Sequence, residues 1–246
     1  MKRNRLYNDL AHLWPLFDPP EEYAQEAAFW RQALREKLGP GRHQVLELGV
    51  GGGHLLSHLT ADVQATAVDI SERMLAHSIE LNPGVEHHVG DMRSIRLGRT
   101  FKAVLIHDAI SYMLTEEDLA STFATARAHL EPGGVLITVP DWFRETFKGT
   151  SVDHHTRTRE GKELTYVQYV TDPDPADTTI ETIFIYIYII KEGGKVEIEQ
   201  DRHITGLFSL DTWLELLAQA GFETEARPYP VYDDDDEGYL LVGVLK

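Results

Sequence analysis

The sequence predicts an α/β fold built on a doubly wound, mostly parallel sheet of seven strands. Three observations support this prediction. Apolar strand patterns alternate with helical patterns between residues 45 and 139, which is the order that βα units produce. A glycine-rich turn directly follows the first strand. The last two strand patterns are joined by a loop without a helix, which predicts that the last strand is antiparallel to its neighbours.

The predicted elements follow one another in βα order. Two helical stretches, residues 6–17 and 21–38, precede the first strand and are interrupted by two prolines. The predicted strands of the sheet are 45–48, 65–68, 85–89, 101–106, 135–139, 222–229 and 239–245. The predicted helices between them are 54–59, 72–81, 116–130 and 210–220. The last three helices follow a Ser or Thr that can cap their first turn.

Residues 151–206 form an insertion in which the pattern changes to that of β-strands. Its strand-like segments are 164–170, 179–190 and 195–204, with a predicted turn at 192–194, and the residues before them, including His154 and His155, are expected to form a loop. The middle segment is apolar on both faces, so both faces should be covered. The cover is either the same chain or a second subunit. We favour a small antiparallel lid sheet that also supports a homodimer.

The turn after the first strand carries the strongest functional signal. Glycines at positions 49, 51 and 53 allow the backbone to approach a ligand closely, because glycine has no Cβ and tolerates a positive φ. The dinucleotide-binding fingerprint would need a further glycine at position 54, where the chain has His54. Glu47 lies two residues before the first glycine and places a carboxylate beside the turn. The pattern therefore favours a ligand that carries a positive charge.

Further polar residues follow the next strands in order. Asp69 ends the second strand, where a carboxylate can accept hydrogen bonds from ribose hydroxyls. The third strand is followed by Gly90, Asp91 and Met92. On these motifs the chain resembles the class I S-adenosylmethionine-dependent methyltransferases, whose fold is Rossmann-like. It is most similar to uncharacterised bacterial small-molecule methyltransferases, with some likeness to aminosugar N,N-dimethyltransferases at residues 141–145 and 202–208.

The resemblance implies a set of residues that bind S-adenosylmethionine. In this set Glu47 and the glycines hold the methionine part, Asp69 the ribose and Asp91 the adenine amino group. The whole set is Tyr7, Glu47, Gly49, Gly51, Gly53, Asp69, Ile70, Met74, Gly90, Asp91, Met92 and His107. Each residue alone also has an ordinary structural interpretation, such as a helix cap for Asp69. The implied division of the chain is 1–40 for N-terminal cap helices, 41–150 with 207–246 for the cofactor-binding methyltransferase domain, and 151–206 for the lid and dimerisation insertion.

The predicted reaction is in-line methyl transfer to a nitrogen or oxygen nucleophile of a small molecule. His107 is the candidate general base, because it follows a strand at the edge where α/β folds bind ligands, and Asp108 and Tyr112 are candidates to orient the acceptor. His107 alternatively only lines the cofactor. Two other functions stay open: a nucleotide-dependent dehydrogenase, which Glu47 and His54 disfavour, and a cofactor-binding protein without transferase activity.

Composition narrows the function further. The chain of 246 residues has no cysteine, which excludes a disulfide framework, a thiolate nucleophile and a zinc–thiolate site, and we predict no metal. The net charge of −17 opposes binding to nucleic acid. The basic N-terminus is not followed by the apolar stretch of a secretory signal, and no apolar run is long enough for a membrane span. A cytoplasmic enzyme with a small-molecule partner is therefore expected, and an acidic run at 233–237 is expected to be a solvated loop.

Overall fold

The computed structural model describes residues 4–190, 194–230 and 238–246, with the side chain of Ile190 left out. The acidic run at 233–237, most of the turn predicted at 192–194 and the start of the basic N-terminus lie outside the described residues. The strands are β1 (His43–Leu48), β2 (Val63–Asp69), β3 (Glu86–Val89), β4 (Phe101–Ile106), β5 (Leu130–Thr138), β6 (Ser151–Arg159), β7 (Lys162–Thr171), β8 (Thr179–Ile190), β9 (Lys195–Gly206), β10 (Phe222–Tyr229) and β11 (Gly238–Leu245). The α-helices are α1 (Trp14–Phe17), α2 (Ala24–Leu38), α3 (His54–Ser57), α4 (Glu72–Leu81), α5 (Glu116–Ala128) and α6 (Leu210–Gln219).

Seven strands form one sheet in the spatial order β10-β11-β5-β4-β1-β2-β3. β11 is antiparallel to both of its neighbours, and the pairs among β1 to β5 are parallel. Buried apolar clusters lie on the two faces of the sheet, as a doubly wound fold requires. The predicted fold class is confirmed, including the antiparallel last strand.

The strand order reverses next to β1, which pairs with β2 on one side and β4 on the other. In this register Leu48 is opposite Val68, and Glu47 is opposite Leu105. The carboxyl ends of the three strands therefore meet at one edge. That edge is a topological switch point, which is where open α/β sheets bind ligands.

Side-chain caps begin three of the helices. The Oγ atom of Ser71 accepts from the backbone N–H of Met74, and Thr115 and Ser209 make the equivalent bonds at α5 and α6. These bonds satisfy N–H groups that have no partner within the helix. The predicted starts of these helices are thus confirmed.

The N-terminal segment differs from the prediction of a helix over residues 6–17. It contains two short 3₁₀ turns and only the four-residue helix α1. The reason is that its backbone bonds elsewhere. The N–H of Leu6 donates to the Asp201 carboxylate, and the N–H of Asn4 donates to the carbonyl of Arg202. Residues 20–23 likewise form a 3₁₀ turn before α2 begins.

A second sheet of four antiparallel strands, β6-β7-β8-β9, forms the insertion. The expectation that His154 and His155 lie in a loop is wrong, because they lie on β6. This edge strand is almost entirely exposed and polar, so its formation depends on backbone pairing with β7 and leaves no hydrophobic pattern to detect. The face of β8 that carries Phe184, Tyr186 and Tyr188 packs against the N-terminal segment.

Among the helices of the described residues, none is long and apolar enough to cross a membrane.

Candidate active site

A cavity of about 350 Å³ opens at the carboxyl edge of the larger sheet. The turn after β1, the ends of β2, β3 and β4, the N-terminal segment and β9 all contribute to its wall. The predicted site residues that line it are Tyr7, Glu47, Gly49, Gly51, Asp69, Ile70, Met74, Gly90, Asp91, Met92, His107, Asp108 and Tyr112. Gly53 is not in this wall. A Cβ at Gly53 would lie 2.4 Å from both Ser78 Oγ and Asn82 Nδ2, so this glycine lets the turn pack on α4.

The glycine turn is a fixed element of the site. Gly49 and Gly51 have φ angles of 78° and 53°, a region that favours glycine. A Cβ at Gly49 would lie 2.5 Å from the Ala109 Cβ and 2.7 Å from the Met92 Cε. The N–H groups of Gly49 and Val50 both donate to the carbonyl of Val68. The turn therefore lies directly against the segments that follow β3 and β4.

Glu47 places a buried carboxylate beside the glycine turn. The residue is 2% exposed, and its Oε2 atom has no hydrogen-bond partner. Burial raises the pKa of this carboxyl to about 8, against the lowering effect of His107. A buried carboxylate without a partner is costly, and a cationic ligand would supply the missing charge. This arrangement suits the ammonium group of an amino-acid ligand.

Asp69 is held by the backbone around it. Its Oδ2 accepts from the N–H of Gly51 and its Oδ1 from the N–H of Ser71, both at 2.8 Å. Burial nevertheless raises the pKa of the Asp69 carboxyl. The carboxylate thereby joins the glycine turn to the start of α4. Met74 on that helix is buried, whereas Ile70 is 69% exposed and extends over the cavity.

Asp91 has a partner that the sequence analysis did not foresee. Its carboxylate bonds the guanidinium of Arg93, with Nη2 to Oδ2 at 2.7 Å, and Arg93 also pairs with Asp118. The hydrogen bonds from Arg93 lower the pKa of Asp91. Asp91 is therefore ionised and oriented. Any ligand that it binds shares the carboxylate with Arg93.

Aromatic residues of the N-terminal segment cover the glycine turn. A Cβ at Gly52 would lie 2.2 Å from the indole Nε1 of Trp14, and the Trp14 ring stacks on His54 with centroids 5.5 Å apart. Tyr7 lies beside them, and its carbonyl accepts from the Ser71 hydroxyl at 2.5 Å. Trp14 and His54 line the cavity without having been predicted to bind a ligand.

His107 has both ring nitrogens engaged by carboxylates. Its Nε2 lies 2.6 Å from Oε2 of Glu26, and its Nδ1 lies 3.0 Å from Oδ1 of Asp108. Burial opposes the charged ring, but the two carboxylates outweigh it and raise the pKa of His107 well above its ordinary value. An imidazolium with two N–H donors has no lone pair with which to accept a proton. This geometry does not favour His107 as a general base.

A second histidine lies on the other side of the cavity wall. His203 of β9 places Nδ1 2.5 Å from the hydroxyl of Tyr112 and Nε2 2.8 Å from Oδ2 of Asp201. His203 and Asp201 are both buried. Residues 202–208 resemble those of aminosugar N,N-dimethyltransferases, but no role was predicted for His203. Asp201 and His203 are two residues apart on a predicted strand and therefore share one face, and this spacing was the sequence signal for a pair.

Within the described ranges, no group of three or more His, Asp or Glu side chains is arranged to hold a metal ion.

Comparison with known proteins agrees with this geometry. Residues 45–134 match the methyltransferase domain family. The chain is 32% identical over 207 residues to the dTDP-3-amino-3,4,6-trideoxy-alpha-D-glucopyranose N,N-dimethyltransferase of Streptomyces venezuelae, covering 83% of this chain and 85% of that relative. It is 31% identical over 211 residues to the dTDP-3-amino-3,6-dideoxy-alpha-D-glucopyranose N,N-dimethyltransferase of Streptomyces fradiae, covering 85% and 80% of the two chains.

Solved structures give the same result. The crystal structure of Streptomyces venezuelae DesVI superposes with a TM-score of 0.82 at 29% identity, covering 92% of each chain. The sugar N-methyltransferase KedS8 from Streptoalloteichus superposes with a TM-score of 0.78 at 26% identity, covering 91% of this chain and 88% of that one. None of these relatives supports a dehydrogenase or a binding protein without activity. The chain belongs to the class I S-adenosylmethionine-dependent methyltransferases, and S-adenosylmethionine is its cofactor.

Proposed function

We propose that this enzyme methylates the amino group of a small molecule, and that its acceptor is an aminosugar linked to a nucleotide. The observation that carries the proposal is the charge of the cavity. Asp69 and Asp108 place carboxylates in its wall, and the one arginine among its described lining residues, Arg93, is already paired with Asp91 and Asp118. An acidic wall attracts ammonium groups. Relatives that act on nucleotide-linked aminosugars support the acceptor class.

The residues that hold the cofactor are proposed from this geometry. Glu47 would pair with the ammonium of the methionine part, since its buried Oε2 lacks a partner. Asp69 would bind the ribose, with Ile70 and Met74 against the adenine. Asp91 and the Met92 N–H would bind the adenine edge. When bound, S-adenosylmethionine supplies a methyl group already activated on a sulfonium, so the protein mainly aligns the acceptor and excludes water.

Some predicted residues take different proposed roles. Tyr7, one of the cofactor-binding residues that the resemblance implied, has its hydroxyl 3.0 Å from that of Tyr112, so we place it between the cofactor and acceptor parts of the cavity. Gly90 is proposed as a packing glycine, because a Cβ there would lie 2.3 Å from the Ile95 Cδ1. His107 is proposed to orient Asp108 as a fixed cation. Asp108 would then present its carboxylate to the acceptor amine.

We propose that the insertion, residues 151–206, is both a lid and a dimer interface. The proposed remainder of the chain is the N-terminal cap, residues 1–40, and the cofactor-binding domain, residues 41–150 with 207–246. The inner face of the insertion brings His203 against Tyr112, which lines the cavity. Its outer face is apolar and uncovered: Val152 is 66% exposed and Ile198 is 67% exposed. Two isoleucines of β8 lie on the same face between these two residues. Ile185 is opposite Val167 of β7, and Ile187 is opposite Ile198 of β9. A contiguous exposed apolar patch typically marks an interaction site, and a second copy of the same face would cover it. The cytoplasmic location and the absence of a nucleic-acid partner stay predictions from the sequence.

Methyl transfer to defined acceptors tests the proposal. The purified protein and labelled S-adenosylmethionine would be incubated with the acceptors named for the Streptomyces venezuelae and Streptomyces fradiae relatives. Matched sugar nucleotides with a hydroxyl in place of the amine serve as controls. We expect mass increases of one and two methyl groups on the amine acceptors alone, and none with an Asp69→Ala variant. Methylation of the hydroxyl compounds instead, or of no acceptor by a protein that binds S-adenosylmethionine, would contradict the proposal.

A further inference from the structure

The hydroxyl of Tyr112 is linked through His203 to a buried carboxylate. Tyr112 Oη lies 2.5 Å from His203 Nδ1, and His203 Nε2 lies 2.8 Å from Asp201 Oδ2. Tyr112 also lines the cavity, beside Asp108 and Leu114. We propose that Tyr112, His203 and Asp201 form a proton relay that takes a proton from the amino group of the methyl acceptor. This inference rests on the proposed N-methyltransferase function. Tyr112 is the catalytic residue of the relay, and His203 and Asp201 are positioning residues that act through it.

The partners of His203 determine which ring nitrogen carries the proton. Asp201 is ionised, because hydrogen bonds from His203 and from the backbone lower its pKa in spite of its burial. A carboxylate only accepts hydrogen bonds, so the adjacent Nε2 must carry a proton. In the neutral ring Nδ1 is then a bare acceptor facing the Tyr112 hydroxyl at 2.5 Å, closer than the hydroxyl of Tyr7, the other group to which Tyr112 can donate, at 3.0 Å. Carboxylate, imidazole and hydroxyl thus stand in the order that activates hydroxyl groups in other enzymes.

The relay is rigid. Asp201 also accepts from the N–H groups of Leu6 at 2.8 Å and Arg202 at 2.7 Å. The His203 ring makes edge contacts with Tyr7 and Phe184 at centroid distances of 5.3 Å and 5.0 Å. Asp201 and His203 lie on β9 of the lid sheet, and these contacts from the N-terminal segment and β8 hold them beside Tyr112. The lid therefore supplies part of the chemistry.

His107, a histidine in the cavity wall, does not compete for this role. Its two nitrogens both face carboxylates, those of Glu26 and Asp108. His203 faces one carboxylate and one hydroxyl, so of these two rings only that of His203 has an acceptor nitrogen, and it faces the hydroxyl of Tyr112, which lines the cavity. The contrast between the two rings is a matter of partners, since both are buried.

The proposed step balances in protons and electrons. The acceptor ammonium gives a proton to Tyr112 Oη while Tyr112 gives its own proton to His203 Nδ1, which leaves a free amine and an imidazolium beside the Asp201 carboxylate. The amine lone pair then forms the bond to the methyl carbon as the carbon–sulfur bond breaks, and that electron pair stays on sulfur. Burial raises the pKa of Tyr112 well above its ordinary value, so its hydroxyl stays protonated between turnovers and conducts the proton without storing charge.

Other titratable groups surround the relay and shape its pH profile. Asp201 lies on the same strand as His203, Tyr7 comes from the N-terminal segment and Tyr186 from β8. The negative charges of Asp108 and Asp141, which follow β4 and β5, raise the pKa of Tyr112. Asp141 is itself half-buried, and its removal from water raises its pKa to about 7. The test therefore compares variants with the wild type at each pH.

Nitrogen-15 NMR of the histidine rings tests the relay without any acceptor. In the wild-type protein saturated with S-adenosylhomocysteine, we expect His203 to carry its proton on Nε2 with Nδ1 bare, and His107 to be protonated on both nitrogens at the same pH. Asp201→Asn should move the His203 proton to Nδ1, because an amide can donate to Nε2. A wild-type His203 with its proton on Nδ1 would overturn the relay.

Kinetics with dTDP-3-amino-3,4,6-trideoxy-alpha-D-glucopyranose, the compound named for one relative, tests the relay in turnover. Tyr112→Phe and His203→Gln should lower kcat at pH 7 by about 10²- to 10⁴-fold, with the Kd for S-adenosylmethionine unchanged. The loss should shrink as the pH rises above the pKa of the acceptor ammonium, because solvent then delivers free amine. His43→Gln, at the opposite edge of the sheet, is the matched control. An equal loss at every pH, or full turnover by His203→Gln at pH 7, would overturn the relay alone, whereas a wild type that methylates no amine would overturn the proposed function.

Discussion

The Nε2 atom of His107 lies 2.6 Å from the Oε2 atom of Glu26, although 81 positions separate the two residues in the sequence. The contact joins α2 to the carboxyl edge of the sheet. It continues through the hydroxyl of Tyr229, which donates to Glu26 at 3.0 Å and accepts from Trp30 at 2.9 Å. A histidine that follows a strand at the ligand-binding edge is thereby held as a cation by the cap helix.

The pair should contribute to stability in a pH-dependent way. Because the pKa of His107 is raised on folding, its stabilisation is complete below the unfolded pKa of about 6.5 and is lost as the pH rises through the folded value. Breaking a buried pair costs about 3–5 kcal/mol, so Glu26→Gln should lower the free energy of unfolding by about that amount at pH 6 and by less at alkaline pH. Urea unfolding at several pH values measures this. Glu36→Gln, an exposed position on α2, should change stability only slightly; an equal effect of both substitutions would refute the role of the pair.

Glu47 should lower the stability of the ligand-free protein and strengthen its binding of the cofactor. Because the folded pKa of Glu47 is about 8, the ligand-free protein keeps this buried carboxyl protonated above the unfolded pKa, at a cost in stability that grows as the pH rises toward 8. Glu47→Gln should therefore stabilise the ligand-free protein at pH 7, by roughly 3 kcal/mol, while it weakens S-adenosylmethionine binding at least about tenfold.

The same carboxyl should release a proton on binding. At pH 6.5 the ligand-free Glu47 is mostly protonated, and pairing with an ammonium requires the carboxylate. Calorimetry in two buffers of different ionisation enthalpy should detect this release in the wild type and its loss in Glu47→Gln. Glu80→Gln, exposed on α4, is the control. A wild type that binds without releasing a proton would show that Glu47 does not meet the ammonium.

Gly49 should be intolerant of a side chain for two separable reasons. An alanine there would adopt a positive φ, which costs about 1–2 kcal/mol, and its Cβ would also lie 2.5 Å from the Ala109 Cβ. Gly98 has a similar φ of +68° with nothing within 4 Å of its Cβ position. Gly49→Ala should thus destabilise the protein by about 1–3 kcal/mol more than Gly98→Ala and should alone weaken cofactor binding. Thermal unfolding measures the stability of the two variants, and titration with S-adenosylmethionine measures their binding. Equal losses of stability and binding in both would mean that close packing at Gly49 is unimportant.

The outer face of the lid sheet should determine the oligomeric state. Ile198 is 67% exposed in the single chain, and a lysine at this position would have to lose its hydration in a dimer. Ile198→Lys should therefore weaken dimerisation by more than about tenfold, as measured by analytical ultracentrifugation. Glu80→Lys adds the same type of side chain away from this face and should leave the dimer intact. A wild type that sediments as a monomer at all concentrations would refute the proposed interface.

Local patterns in the sequence determined the sheet and the cofactor edge. Strand hydrophobicity, helix caps and glycines act over a few residues, so β4, α4 and β10 were predicted with the bounds that the structure has. The order of strands then follows from βα connectivity, which brings Glu47, Asp69 and His107 to one edge. The hydrophobic pattern did not predict β6, which is polar and exposed and depends on its partner strand. It also predicted a long helix in the N-terminal segment, where the Leu6 N–H instead bonds Asp201 of β9.

Only the tertiary structure decided which hydrogen-bond partners each polar group has. No pattern near His107 shows that Glu26 of a preceding helix occupies its second nitrogen, and none near Tyr112 shows that His203, 91 positions later, lies at hydrogen-bond distance from its hydroxyl. Hydrogen-bond partners fix the protonation state of a buried histidine, and these partners come from elements that are distant in sequence. The sequence by itself therefore determined the methyl donor and the edge where it binds. The folded chain decided which histidine is a fixed cation and which one has a nitrogen left to accept a proton.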